Sequence, residues 1–256
     1  MFSKINVIAK YTALEALRTR LFWVVFFVVI ASIGLAEFIS QVAITESQQI
    51  QSAVVGAILR MVAVLILSLF VITSMVREFN DKGFELVLSL PVPRAGYYFG
   101  KFLGFSLVAL LIALLFSFPL LVYVPSDQVA MWGVSLFLEL LIVAALSLLC
   151  LFTFNHVTIA FICVVAFYLL SRSIGAIQLI GHGPLAETHK LSQQVINFIV
   201  DAIAYILPGL DRFTSTEWLV YHSATMNDLF VVLGQSMIYL LVLSAAALFD
   251  LYRKDL

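Results

Sequence analysis

Residues 131–170 read MWGVSLFLELLIVAALSLLCLFTF-NH-VTIAFICVVAFYLL, forty positions in which Glu139, Asn155 and His156 are the strongly polar side chains. A helix crossing a bilayer core of about 30 Å needs roughly 20 apolar residues. The run is therefore about two crossings long, and the chain turns at Asn155 and His156. Within hydrocarbon the backbone must satisfy its own hydrogen bonds, so the stretch reads as two antiparallel helices. Working outward, comparable apolar runs occupy 21–39, 54–76, 102–124 and 229–249. With 131–154 and 157–180 they make six spans, the 157–180 span reaching full length if Arg172 snorkels to the interface. The fold class is all-α integral membrane, a single transmembrane domain over 1–256. Composition agrees: of 256 residues, 63% are hydrophobic and 11% charged, against about 25% charged in a soluble domain. A cytosolic enzyme and a nucleic-acid-binding domain are excluded on that ground, and the expected surroundings are a lipid bilayer. Cys150 and Cys163 both sit in apolar runs, which suggests neither a disulfide scaffold nor a thiolate metal site.

Charge placement orients the spans. Lys4, Lys10, Arg18 and Arg20 precede the first, Arg77, Lys82, Arg94 and Lys101 lie between the second and third, and Arg253 and Lys254 follow the sixth. By the positive-inside rule these mark the cytoplasmic side, with both termini cytoplasmic. Residues 40–53 and 125–130 carry no Lys or Arg and fall outside. So does the segment 171–228, where 195–207 reads as an external amphipathic helix, interrupted by Asp201 and ended by Pro208 and Gly209. A seventh span there would put Arg253 and Lys254 outside, against the rule. Over 1–20, Phe2, Ile5, Ile8, Ala9, Ala16 and Leu17 share one helical face and Lys4, Lys10, Glu15 and Arg18 the other, blurred by Val7, Tyr11 and Leu14. Two readings stand: an interfacial helix on the inner leaflet, or a basic flank that only sets topology.

The loop 77–101, REFNDKGFELVLSLPVPRAGYYFGK, holds seven charges in twenty-five residues. It reads as a short helix, a proline stop at Pro91, and a second helix leading into the third span. Here the sequence resembles the permease subunits of ABC-2 type transporters (type V exporter-like), on Glu78, Lys82, Gly83, Glu85, Leu86, Leu88, Ser89, Pro91, Val92, Arg94, Gly100 and Lys101. The six-span layout and the ending Leu-Tyr-Arg-Lys-Asp-Leu at 251–256 extend the likeness along the chain. Two departures are a residue missing before Phe84 and Pro93 in place of Ser or Thr. The resemblance implies a coupling helix seated in a groove of a separate cytoplasmic ATP-binding cassette ATPase, with Glu78, Lys82, Gly83, Glu85, Leu86, Leu88, Pro91 and Arg94 as its residues. Leu86 and Leu88 suit anchoring, Glu85 and Arg94 steering at a rim. It also implies a permease homodimer with two ATPase copies, ATP and Mg bound by the partner, and the cytoplasmic (inner) membrane of a prokaryote. The external stretch 206–213, Ile-Leu-Pro-Gly-Leu-Asp-Arg-Phe, looks most like permeases of the nitrous oxide reductase and multicopper enzyme maturation type, which leaves the cargo unnamed and allows an external accessory protein.

The chain itself is expected to be non-catalytic. Gly100-Lys101 fails the phosphate-loop pattern in spacing and lacks the following hydroxyl, and no zinc-protease motif or nucleophile elbow occurs. No metal site is expected: His182, His189, His222 and Met226 lack ligand spacing. Glu37, Arg60 and Glu139 are intramembrane charges, and such groups face a bundle interior. Arg60 is expected to pair with Glu139 or Glu37, as a structural clamp or at the wall of a substrate path. Gly100 and Gly104 form a small-xxx-small pair. Two rival functions stand beside the permease: a secondary transporter or channel, and a membrane anchor recruiting an external assembly.

Overall fold

The structure, a computed structural model, describes residues 2–43, 46–81, 93–154, 156–181 and 191–253. Of the six prolines, those at 91, 93, 125, 184 and 208 lie outside the apolar runs, and Pro119 falls near the end of the run 102–124, where the α-helix stops. The described helices are α1 (Phe2–Arg18), α2 (Leu21–Val42), α3 (Ser47–Asn80), α4 (Arg94–Ser117), α5 (Ser126–Phe154), α6 (Val157–Gly181), α7 (Leu191–Ile206), α8 (Thr216–Val220) and α9 (Met226–Arg253). No strand occurs among the described residues. Pro119 opens a 3-10 turn, Pro119–Val122, that finishes α4. Thr225 and Asp228 open α9 reciprocally: the Thr225 backbone N–H donates to Asp228 Oδ2 at 3.0 Å and the Asp228 N–H to Thr225 Oγ1 at 3.3 Å.

Among the described residues six helices are long and apolar enough to cross a membrane: α2, α3, α4 with its 3-10 turn, α5, α6 and α9. They coincide with the six runs read from the sequence. The protein is thus a multi-pass helical membrane protein by length and composition. At about 1.5 Å per residue, α3 is roughly 51 Å long, well beyond a bilayer core of about 30 Å. Its last turns, with Arg77 and Glu78, extend past the apolar part.

Helix α5 is the hub, packed against α3, α4, α6, α8 and α9, while α2 lies on α3. Helix α1 packs along α4. Its buried side is Ala9, Thr12 and Ala16, whereas Val7, Tyr11 and Leu17 are exposed. The small-xxx-small pair serves this contact: a methyl on Gly104 would stand 2.5 Å from Thr12 Cβ, and one on Gly100 2.9 Å from Ile8 Cβ. Overpacking here is expected to cost about 1–3 kcal/mol. Gly104→Leu should therefore lift α1 from α4, read as lost hydrogen-exchange protection at residues 5–16 with the α5 amides unchanged; undiminished protection would refute the contact.

Helix α7 corresponds to the amphipathic stretch 195–207, but its faces are reversed relative to a helix lying on a soluble domain. Asn197 donates to the Gly181 carbonyl at 3.0 Å and Gln178 to Asp201 Oδ1 at 3.0 Å. Val195, Phe198, Ile199, Tyr205 and Ile206 are exposed. As α7 advances from 197 to 201 its partner recedes from 181 to 178, so α7 runs back antiparallel along the end of α6. After Pro208 and Gly209 the chain goes inward: Leu210, Phe213, Thr214, Trp218 and Leu219 are all buried. Residues 207–220 thus form an inserted segment between α3, α5 and α6. It returns through Ala224, whose N–H donates to Gln128 Oε1 at 3.1 Å near the start of α5.

Candidate functional site

The tip of the inserted segment meets a buried polar centre. Glu139, midway along α5, is fully buried, and an isolated carboxylate there is unsustainable without partners. It has three. Tyr168 Oη donates to Oε1 at 2.9 Å, Thr214 Oγ1 to Oε2 at 2.7 Å, and Arg172 Nη1 lies 3.5 Å from Oε1. Tyr168 and Arg172 are four residues apart on α6 and present one face. The same Arg172 nitrogen donates to the carbonyls of Leu210 at 2.7 Å and Phe213 at 3.0 Å. Gly175, one turn beyond, admits the segment: a methyl there would lie 2.6 Å from Asp211 Oδ2.

Thr214 has every polar group engaged. Its N–H donates to Ser135 Oγ at 2.9 Å, its hydroxyl to Glu139, and its carbonyl accepts from Arg60 Nη1 at 2.9 Å. Arg172 Nη1 on α6 also lies 3.4 Å from the Thr214 hydroxyl, so three helices, α3, α5 and α6, hold one residue. Its φ is 44°, in the left-handed region that a β-branched side chain strongly disfavours. Such strain persists only where surroundings over-determine it, and it concentrates at switch and ligand sites. The Nε of Arg60 and the hydroxyl of Ser171 are buried without a hydrogen-bond partner.

Two expectations are corrected here. Arg60 makes no ion pair with Glu139 or Glu37 among the described residues; Glu139 is taken by Arg172, and Arg60 turns to the Thr214 carbonyl. Arg172 does not snorkel outward but points into the bundle, because the buried carboxylate and two backbone carbonyls offer better ligands than an apolar flank. Glu37 is exposed on α2, away from this centre. The sequence reading missed Ser135, Tyr168, Arg172 and Thr214. The i,i+4 pairs Ser135/Glu139 and Tyr168/Arg172 were the available signal; nothing in sequence marks Thr214.

At the other end of the bundle, polar ties bracket the loop between α3 and α4. Lys101, 7% exposed, pairs with Glu78 across α3 and α4. Glu15 of α1 pairs with Arg77 and accepts from Ser74 at 2.9 Å. Arg94 Nη1 donates to the carbonyls of Leu251 at 3.1 Å and Tyr252 at 3.0 Å, with its guanidinium 6.0 Å from the Tyr252 ring centroid. It thereby caps the C-terminal end of α9 and meets the negative end of its dipole. Thr153 of α5 donates to Asp250 of α9 at 2.5 Å. Glu78 and Arg94 are thus placed at the base of the loop, while Lys82, Gly83, Glu85, Leu86, Leu88 and Pro91 lie outside the described residues. The chain matches no protein-family model and no curated protein.

Proposed function

We propose that the protein is the permease subunit of an ABC-2 type exporter, working as a homodimer with two copies of a separate cytoplasmic ATPase in a prokaryotic inner membrane. Both termini lie on the cytoplasmic side. The observation that supports it most is the bracing of the loop's two ends. With Glu78 bound to Lys101 and Arg94 bound to the end of α9, a push on residues 82–92 reaches α3, α4 and α9 together rather than being absorbed by a slack connection. Helix α9 packs on α5, which carries Glu139, so the displacement has a contiguous route to the inserted segment. Two discrete arrangements of that segment would turn the push into opening and closing. The rival secondary transporter needs a carboxylate free to bind a coupling ion. Among the described residues the fully buried one, Glu139, is committed to Tyr168, Thr214 and Arg172.

The test is co-purification. The tagged chain, drawn from its native membrane in mild detergent, is expected to bring an Mg-dependent ATPase with it. Glu85→Arg, a reversal of steering charge on the loop, should abolish that recovery, with the variant still monodisperse. Arg94 is unsuitable for this purpose, since changing it would loosen α9 as well. An eluate with no ATPase, or one indifferent to Glu85→Arg, would overturn the assignment.

A further inference from the structure

We propose that Arg60, Arg172 and Glu139 form a recognition site for an amphipathic anion bearing a carboxylate head, and that residues 210–214 are a resident plug occupying it. This rests on the exporter reading and names the substrate class for it.

Arg60 faces Arg172, Glu139 and the Tyr168 hydroxyl, of which Arg172 and Glu139 carry formal charge. Among the described groups of this centre, two guanidiniums thus face one carboxylate, an excess of one positive charge. Both guanidiniums are only partly exposed, and charges so placed gain from an ionic partner. What the two arginines have instead is backbone: the carbonyl oxygens of Leu210, Phe213 and Thr214, at 2.7, 3.0 and 2.9 Å. Those oxygens satisfy hydrogen bonds without neutralising charge. They occupy positions that carboxylate oxygens fill more favourably, because guanidinium forks bind carboxylates with charge-assisted bonds. Arg60 also keeps its buried Nε unpartnered, a donor ready for a second oxygen.

The occupying segment is poised to leave. Thr214 is held at φ 44°, and withdrawal relieves that backbone strain. Once it leaves, Arg60, Arg172 and the Tyr168 hydroxyl line the vacated space, while Glu139 keeps Arg172 in place. Leu136 and Leu140 neighbour Ser135 and Glu139 along α5, Val64 is one turn from Arg60 on α3, and all three are buried and apolar. An anion entering such a space needs an apolar body behind its head.

The experiment measures binding to the full chain in phosphatidylcholine nanodiscs, without ATPase, using radiolabelled decanoate and decyltrimethylammonium as its cationic counterpart, each corrected for empty nanodiscs. Decanoate should bind saturably and the cation should not. Arg60→Gln should weaken decanoate binding about tenfold, while Arg60→Lys, which keeps the charge, should stay within about threefold. Ser135→Ala removes the acceptor of the Thr214 N–H, loosens the plug, and should tighten binding; a merely structural role would not raise it. Equal uptake of both probes, unchanged binding in Arg60→Gln, or weaker binding in Ser135→Ala would each overturn the proposal. If Arg60→Gln is not monodisperse, the probe comparison and Ser135→Ala decide. Recovery of ATPase in the pull-down is independent of all these results, so failure of the anion site and failure of the exporter reading are told apart.

Discussion

Glu139→Gln is expected to destabilise the protein by about 3–5 kcal/mol, the usual consequence of removing one partner from a buried ion pair. The substitution is nearly isosteric, so the loss comes from the charge and one acceptor oxygen rather than from packing. Glutamine keeps one acceptor oxygen, for Tyr168 or for Thr214 but not in both of the positions Glu139 fills, and Arg60 and Arg172 would face each other with no counter-charge. Arg172→Gln should cost less: its side chain is 19% exposed against 0% for Glu139, and Arg60 remains to face the carboxylate. The double variant Glu139→Gln with Arg172→Gln should be less destabilised than the two losses added, because residues sharing one pair couple. Unfolding in nanodiscs followed by tryptophan fluorescence checks this, with Trp132 and Trp218 both buried on elements that meet the centre. Single losses that simply add would mean that the pair contributes nothing as a pair.

That centre also shows where the sequence was legible and where it was not. The six long helices follow from apolar length alone, a local property, and they appear where 21–39, 54–76, 102–124, 131–154, 157–180 and 229–249 place them. Pro208 and Gly209 likewise mark a real break after α7. Partner identity is a different kind of quantity. Depth along a helix puts Arg60 and Glu139 at similar levels, but whether they touch depends on the rotation of α3 and α5 and on what stands between them. The thing between them is Thr214, carried by a segment whose composition gives no sign of insertion. Amphipathicity of 195–207 is visible in sequence, but the direction of its polar face is not: Asn197 and Asp201 find partners at the end of α6, so the apolar side is the one left outside. Arg172 misled for a related reason. An arginine near the end of an apolar run has two ways to avoid hydrocarbon, and Glu139 together with the carbonyls of Leu210 and Phe213 selects the inward one.

At the base of the loop between α3 and α4 the expected effect is of comparable size. Glu78→Gln leaves the ammonium of Lys101, 7% exposed, without its carboxylate, and should cost about 3 kcal/mol or more. If the pair only adds stability, reversing it with Glu78→Lys and Lys101→Glu restores melting behaviour and nothing else changes. If it also transmits motion, as the exporter reading requires, Glu78→Gln should leave the partner ATPase bound yet weaken the link between nucleotide state and the permease. Hydrogen exchange of residues 207–220 in the complex, with and without a non-hydrolysable ATP analogue, separates the two. The parent complex should show nucleotide-dependent exchange there, Glu78→Gln should flatten it, and the reversed pair should recover it, because either orientation of the bond makes α3 and α4 move as one body. Exchange that responds to nucleotide equally in the parent and in Glu78→Gln would mean that force reaches the inserted segment by another route. Among the described contacts the next candidate is Arg94, through α9 onto α5. An Arg94→Met variant would then be the one to lose the response.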